Sequence, residues 1–133
     1  KFPDVLVVMP VTSPLRKKKQ IIYSINKFIR EKSDILITVK NSAINPYFNM
    51  IEINKKGYAK VVNDKRRFYR RQDAPKVYAM STICFIADPN FILKTKHIFN
   101  GNVSVAKFDK ESSIDIDDIY DLKIAKKLFR GAK

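Results

Sequence analysis

The sequence predicts an α/β domain with a mixed, mostly parallel sheet and flanking helices. Two stretches, Asp4–Met9 and Asp34–Val39, each contain a continuous apolar run of strand length, which is typical of strands covered on both faces. Between them, apolar residues recur at helical spacing over about residues 17 to 32. Strand, helix and strand in this order imply a parallel crossover unit, whose ligand sites lie beyond the carboxyl ends of the strands.

The middle of the chain predicts a β-hairpin. Two short strand-like runs, Phe48–Ile53 and Tyr58–Val62, flank the turn residues Asn54–Gly57. The remaining predicted elements are a strand at Thr82–Ile86, a short helix at Pro89–Lys94, an edge strand at Val103–Phe108 and a helix at Ile116–Phe129. We interpret residues 1–133 as a single domain in which residues 42–75 form an arm built on the hairpin.

The composition limits the class of protein. The 133 residues include 27 Lys and Arg, 13 Asp and Glu, and one Cys, which gives a formal net charge of +14. The longest apolar run, Val5–Val11, is far shorter than the roughly 20 residues of a membrane-spanning helix. Because the lone Cys84 cannot form an internal disulfide, a cytoplasmic location is expected. The positive charge favours an anionic partner, which can be nucleic acid, a membrane surface or a phosphate-bearing small molecule.

Cations and carboxylates are concentrated in different segments. Lys55–Lys76 holds nine Lys or Arg and two Asp, whereas Asp109–Asp121 holds six carboxylates and one Lys. Within the basic segment, Lys65–Arg71 interleaves cations with aromatic residues, which is typical of a single-stranded nucleic-acid platform or, alternatively, of a solvated basic loop. The carboxylates of Asp109–Asp121 argue against a protein that only coats a polyanion.

The motif Thr12–Arg16 is the first candidate site. It places two hydroxyls and a guanidinium directly after a predicted strand. Either these groups face a ligand, or Ser13 caps the next helix and Pro14 takes its first position.

The motif Ser113–Asp117 is the second candidate site. Alternation places Asp115 and Asp117 on one side of the segment, and Ile114 and Ile116 on the other. Two carboxylates on one face repel each other unless a cation lies between them, and oxygen ligands suit Mg²⁺. The alternative is an acidic helix start that is capped by Asp117 or Asp118.

Four motifs together resemble the acylneuraminate cytidylyltransferase (CMP-sialic acid synthetase) family. In chain order they are Thr12-Ser-Pro-Leu-Arg16, Asn45-Pro-Tyr-Phe-Asn-Met-Ile-Glu52, Arg70-Arg-Gln-Asp-Ala-Pro75 and Ser113-Ile-Asp-Ile-Asp117. The resemblance runs from Pro3 to Phe129 and matches only the C-terminal part of the family domain. The family's Gly-rich N-terminal loop, which holds CTP, has no counterpart here, so the chain is expected to be N-terminally incomplete and inactive alone.

The resemblance implies a nucleotide-diphospho-sugar transferase-like, Rossmann-like fold and a nucleotidyl transfer reaction. The anomeric hydroxyl of an acidic, sialic-acid-like nonulosonic sugar attacks the α-phosphate of CTP, and pyrophosphate leaves. Such a reaction needs charge neutralisation and alignment more than a covalent nucleophile. The implied partners are therefore CTP and the acidic sugar, with Mg²⁺ as the cofactor.

The resemblance also implies roles for individual residues. Asp115 and Asp117 correspond to the family's Mg²⁺ ligands, and Arg16 is expected to be catalytic together with them. Thr12 and Ser13 belong to the substrate-facing loop. On the arm, Arg71 and Gln72 match a substrate-binding motif that reaches the neighbouring subunit's site, which implies a homodimer.

Two other classes of protein are alternatives. A basic nucleic-acid-binding module would use the arm, although the carboxylates of Asp109–Asp121 and the buried strands argue against it. A catalytically silent remnant would form a dimer through the same arm and bind no nucleotide. The chain also departs from the family at two positions near the sugar, Pro10-Val11 and Ser81-Thr82, so the identity of the sugar is left open.

Overall fold

The computed structural model describes residues 2–131 of the chain. Its strands and helices follow one another in the order that the apolar patterns predict. In chain order they are β1 (Leu6–Val8), α1 (Lys18–Glu31), β2 (Ile35–Asn41), β3 (Ile51–Ile53), β4 (Ala59–Val61), β5 (Tyr78–Ala87), α2 (Pro89–Lys94), β6 (Val103–Lys107) and α3 (Ile119–Gly131), with single 3₁₀ turns at Arg71–Asp73 and Ile98–Asn100.

The chain divides into two compact units. Residues up to Lys40, together with those from Met80 onward, form the sheet unit, and Asn41–Ala79 forms the hairpin unit. The hairpin unit contains the predicted arm, residues 42–75.

The sheet unit contains a mixed four-stranded sheet in the order β1-β5-β2-β6. β1 pairs antiparallel with β5, whereas β2 pairs parallel with β6. The prediction of a mixed sheet with flanking helices is thus confirmed. β5 lies between β1 and β2, so the crossover through α1 passes over one strand.

β2 is buried on both faces, as its continuous apolar run predicts. On one face, Leu36 packs in a cluster with Phe28 of α1 and with Ile83, Cys84 and Ile86 of β5. On the other face, Ile35, Ile37 and Val39 form a second cluster, against which Phe91 of α2 packs. Successive side chains of a strand point to opposite faces, so one apolar run supplies both layers of the core.

The prediction that β1 is covered on both faces is wrong. In the part of the chain that the structure describes, β1 is an edge strand of three residues, and Leu6 and Val8 keep 38% and 45% of their surface exposed. Val7, between them, packs against the core cluster around Leu36. An apolar run thus identified a strand correctly, but it did not distinguish an edge strand with one open face from a central strand.

The helix starts differ from the predicted ones. α1 begins at Lys18 after the cap residue Lys17, so the interpretation of Ser13 as its cap is wrong. α3 begins at Ile119, later than predicted. The carboxylate of Asp118 accepts the backbone N–H groups of Tyr120 and Asp121 at 2.7 and 2.9 Å, so Asp118 stabilises the helix start.

The hairpin unit contains the predicted two-stranded hairpin, in which Ile51 is opposite Val61 and Ile53 is opposite Ala59. Asn54 organises the turn, since its side-chain oxygen accepts the backbone N–H groups of Lys56 and Tyr58. Gly57 has φ = +85°, a left-handed conformation that glycine adopts without a steric cost.

A polar network that is buried at Gln20 and Ser112 and reaches the exposed Asp109 joins α1 to the turn that follows β6. Gln20 donates to the hydroxyl of Ser112 at 2.7 Å, and this hydroxyl donates to the carboxylate of Asp109 at 2.8 Å. The other carboxylate oxygen accepts the backbone N–H of Ser112 at 2.8 Å. This backbone hydrogen bond lowers the pKa of Asp109 below its ordinary value of 3.8, although desolvation acts in the opposite direction.

We predict that Asp109→Ala lowers the free energy of unfolding at pH 7 by about 1 kcal/mol, the net value of a hydrogen bond in a folded protein. Because the pKa of Asp109 is lower in the folded state, the ionised carboxylate contributes stability above pH 3.8, and this contribution is lost as the pH falls through the lowered pKa. Urea unfolding of both proteins between pH 7 and pH 2 measures the difference. Asp109→Asn is the control, because its amide keeps an acceptor oxygen and does not titrate. A wild-type advantage over Asp109→Ala that stays constant with pH would contradict the prediction.

Candidate functional site

The loop Thr12–Arg16, which follows β1, is held to the sheet by the Arg16 side chain. Its Nε donates to the carbonyl of Ser13 at 2.8 Å, and its Nη1 donates to the carbonyl of Ile83 in β5 at 2.9 Å. Its Nη2 donates to the carbonyl of Pro10. Arg16 therefore fastens this loop to β5 through main-chain acceptors, and in this structure its guanidinium is a structural brace.

Ser13 and Thr12 also make contacts within the fold. Ser13 is fully buried, and its hydroxyl shares a hydrogen bond of 2.5 Å with that of Thr82 in β5. Thr12 is half-buried, and its carbonyl accepts the backbone N–H of Ile116 at 2.9 Å. The first candidate motif is thus attached directly to the second, and Ser13 contributes packing and a buried hydrogen bond at this junction.

The segment Ser113–Asp117, which we call the acidic segment, follows β6 and has no regular secondary structure. It is held at two points. One is the bond from Ile116 to Thr12, and the other is the ammonium of Lys40, which donates to the carbonyl of Ser113 at 2.9 Å. Lys40 lies near the carboxyl end of β2, so both attachment points lie where the strands end.

The carboxylates of the acidic segment face a cavity of about 540 Å³, which we call the acidic cavity. Asp115 and Asp117 both line it, which confirms that they point to the same side. Ile116 faces a different, apolar groove with Pro14 and Leu15. Ile114, however, lines the acidic cavity, so the prediction that it points away from the aspartates is wrong. The complete lining is Lys40, Lys110, Glu111, Ile114, Asp115, Asp117, Asp121, Ile124 and Leu128.

Asp115 has the hydrogen-bonding state expected of a metal ligand. Its Oδ1 is buried and has no hydrogen-bond partner, which is costly for a carboxylate unless a cation or donor completes the site. Within residues 2–131, no three His, Cys, Asp or Glu side chains are grouped closely enough to hold a metal by themselves. Mg²⁺ commonly binds through one or two carboxylates together with phosphate oxygens and water, so Asp115 and Asp117 fit this ion.

Four charged residues of the acidic cavity were not identified from the sequence: Lys40, Lys110, Glu111 and Asp121. Lys40 was detectable, because it directly follows the predicted strand Asp34–Val39 at the end where ligand sites lie. The others face the cavity because of the turn before the acidic segment and the start of α3, whose geometry the apolar pattern does not predict.

Arg71 and Gln72 lie in the 3₁₀ turn of the hairpin unit, and both side chains are exposed. Arg71 donates to the carbonyl of Ala43 at 2.9 Å, and its guanidinium carbon lies 6.0 Å from the ring centre of Phe48. The same turn is stabilised by an ion pair of 3.0 Å between Arg70 and Asp73. The guanidinium of Arg71 is therefore held in place while remaining accessible to solvent.

A second cavity, of about 370 Å³, lies within the hairpin unit. Phe68 lines it and makes an edge-to-face contact with Tyr47 at 6.3 Å, and Arg66 lies 5.3 Å from the ring centre of Phe68. The ring of Phe68 is thus partly covered by contacts within the hairpin unit. The neighbouring side chain of Tyr69, in contrast, is 88% exposed to solvent.

No helix in the part of the chain that the structure describes is long and apolar enough to cross a membrane.

Comparison with curated proteins identifies relatives over most of the chain. It is 33% identical over 128 residues to post-translational flagellin modification protein B of Campylobacter coli, covering 96% of this chain and 53% of that protein. It is 37% identical over 90 residues to the CMP-N,N'-diacetyllegionaminic acid synthase of Campylobacter jejuni, covering 67% and 37%. It is 28% identical over 111 residues to the N-acylneuraminate cytidylyltransferase of Streptococcus agalactiae, covering 84% and 27%. No protein-family model matches.

The fold is also found among solved structures. The crystal structure of 4-diphosphocytidyl-2C-methyl-D-erythritol synthase from Anaerococcus prevotii superposes with a TM-score of 0.63, covering 96% of this chain and 59% of that one at 17% sequence identity. This likeness confirms the predicted nucleotidyltransferase-like α/β fold. The chain spans about half the length, or less, of the curated relatives it matches. Over the part of those proteins that it spans, the chain is a homologue of the acylneuraminate cytidylyltransferase family.

Proposed function

We propose that this chain serves in a cytidylyltransferase that activates a sialic-acid-like nonulosonic sugar by transferring CMP to it from CTP, with release of pyrophosphate. The relatives named as a CMP-sugar synthase and as cytidylyltransferases support this activity. The observation that carries the proposal is the arrangement of Asp115 and Asp117 on one cavity, with a buried carboxylate oxygen of Asp115 that has no partner.

In the proposed reaction, Asp115 and Asp117 hold Mg²⁺. When bound, this ion supplies charge neutralisation at the phosphates during attack on the α-phosphate and departure of pyrophosphate. The chain's own contribution is to fix the two carboxylates. The bonds from Ile116 to Thr12 and from Lys40 to Ser113 hold the acidic segment, so the carboxylates are in place before the ligands arrive.

We propose that Thr12, Ser13 and Arg16 act in this reaction mainly by supporting the acidic segment. Arg16 holds the loop against β5, and Ser13 is buried against Thr82. The carbonyl of Thr12 accepts the hydrogen bond from the backbone N–H of Ile116. Direct contact of Arg16 or Thr12 with the sugar stays a prediction from the family resemblance.

We further propose that the hairpin unit forms the contact between two copies of the chain. One face of the hairpin carries only apolar side chains, Ile51, Ile53, Ala59 and Val61, and Ile51 and Ile53 are 55% and 69% exposed. A two-stranded hairpin is marginally stable when such a face remains in water. A two-fold dimer covers this apolar face. Arg71 and Gln72 then contact the ligand bound by the partner subunit, as the family resemblance implies.

We predict that Asp115→Asn abolishes binding of Mn²⁺, used as a probe for Mg²⁺, and raises the melting temperature of the metal-free protein. Both effects follow because the substitution removes the charge of a half-buried carboxylate, one oxygen of which is buried without a hydrogen-bond partner. Water-proton relaxation reports Mn²⁺ binding, and calorimetry reports the melting temperature. Asp118→Asn is the control, since Asn also caps a helix well and Asp118 does not line the acidic cavity. Mn²⁺ binding by Asp115→Asn at wild-type affinity would disprove the metal assignment.

We predict that Ile51→Asp combined with Ile53→Asp converts a dimer into a monomer without unfolding the hairpin, because both side chains are exposed within one chain. Sedimentation velocity at micromolar concentrations measures the oligomeric state. Glu52→Gln is the control, since Glu52 lies on the other face of the hairpin and pairs with Lys60 at 3.1 Å. A wild-type protein that is already monomeric would rule out the proposed dimer. A dimer that binds no Mn²⁺ would instead support a catalytically silent protein.

A further inference from the structure

Lys40 is the most distinctive group of the acidic cavity. Its side chain lines the cavity together with Glu111, Asp115, Asp117 and Asp121. Even so, Lys40 forms no ion pair with any of them within 4.0 Å, since the ion pairs recorded between residues 2 and 131 all lie elsewhere. The Lys40 ammonium therefore lies among four carboxylates without forming an ion pair, and another interaction fixes its position.

A main-chain oxygen fixes the position of the Lys40 ammonium. Its Nζ donates to the carbonyl of Ser113 at 2.9 Å, and Ser113 is fully buried, so the acceptor cannot move freely. An ammonium has three N–H donors. The structure assigns one of them to Ser113 and gives no partner for the other two among the described residues.

This arrangement is suited to an anionic ligand. The ammonium is already held by the carbonyl of Ser113, so less side-chain freedom remains to be lost on binding. The neighbouring carboxylates repel an anion unless a cation accompanies it. Lys40 supplies a fixed positive charge with free donors in the same cavity.

We propose that Lys40 binds an anionic oxygen of the ligand in the acidic cavity through the donors that Ser113 leaves free. The proposal rests on the proposed function, because it concerns the same cavity. The anionic oxygen can belong to a phosphate or to a carboxylate of the sugar, and these two sources are distinguishable by titration with separate ligands.

The test compares Lys40→Met with the wild-type chain by isothermal titration calorimetry. The two anionic probes are inorganic pyrophosphate and N-acetylneuraminic acid, each titrated with and without Mg²⁺. Lys40→Met is expected to weaken binding of one probe by about tenfold or more, the range for a hydrogen bond to a charged group. The probe that is weakened identifies phosphate or carboxylate as the source of the oxygen. Lys40→Arg, which keeps the charge and donors, is expected to restore binding to within about threefold of wild type.

Mn²⁺ binding without an anion separates ligand binding from a purely structural role. If Lys40 contacts the anion, Lys40→Met leaves Mn²⁺ affinity unchanged or increases it, because a positive charge near the carboxylates has been removed. If Lys40 only holds Ser113 in place, the acidic segment loosens in Lys40→Met and both Mn²⁺ and anion binding weaken. The second result would overturn the proposal.

Lys110 provides the matched control, since it lines the same cavity and, unlike Lys40, has no recorded bond to the acidic segment. Lys110→Met is expected to change anion affinity by less than about threefold, as for a screened surface charge. Equal losses in both variants, or no loss in Lys40→Met, would overturn the proposal. Failure of the wild-type chain to bind Mn²⁺ would count against the proposed function, whereas the comparison of anion affinities tests Lys40 independently.

Discussion

The hydrogen bonds that attach the acidic segment to the sheet are the interactions on which the candidate site depends. The segment lies outside helices and strands, so no regular pattern of backbone hydrogen bonds holds it. Its position derives from Thr12 and Lys40, each located where a strand ends, and from the Arg16 brace that fixes the Thr12 loop. Since these bonds mostly use main-chain acceptors, they constrain the position of the carboxylates without occupying the carboxylates themselves.

Sequence patterns predicted those parts of the molecule that local physics determines. The apolar run of β2, the helical spacing of α1 and the turn at Gly57 each lead to the observed element. The alternation in the acidic segment placed Asp115 and Asp117 together. The predictions that are wrong concern side chains whose orientation depends on residues distant in sequence. Ser13 was available as a helix cap, but it is buried against Thr82, 69 positions away in the chain. The cavity-facing orientation of Ile114 likewise depends on tertiary packing.

The distribution of charge separates two kinds of surface that the net charge of +14 conceals. The acidic cavity lies in the sheet unit, whereas most of the basic segment lies in the hairpin unit. Within the hairpin unit, some of this charge is already used, since Arg66 contacts Phe68 and Arg71 contacts Ala43 and Phe48. These contacts reduce the aromatic surface that is available for stacking on nucleotide bases, and they distinguish the unit from an open stacking platform.

The edge position of β1 has a consequence for handling the protein in solution. Among residues 2–131, β1 pairs only with β5, so its other edge offers main-chain N–H and C=O groups beside the exposed Leu6 and Val8. Such an edge is a template for adding a strand from another molecule, and repulsion between charged molecules opposes this addition. The high net charge opposes such growth at low ionic strength, whereas added salt screens the repulsion. Colloidal stability of purified samples is therefore expected to fall as salt concentration rises.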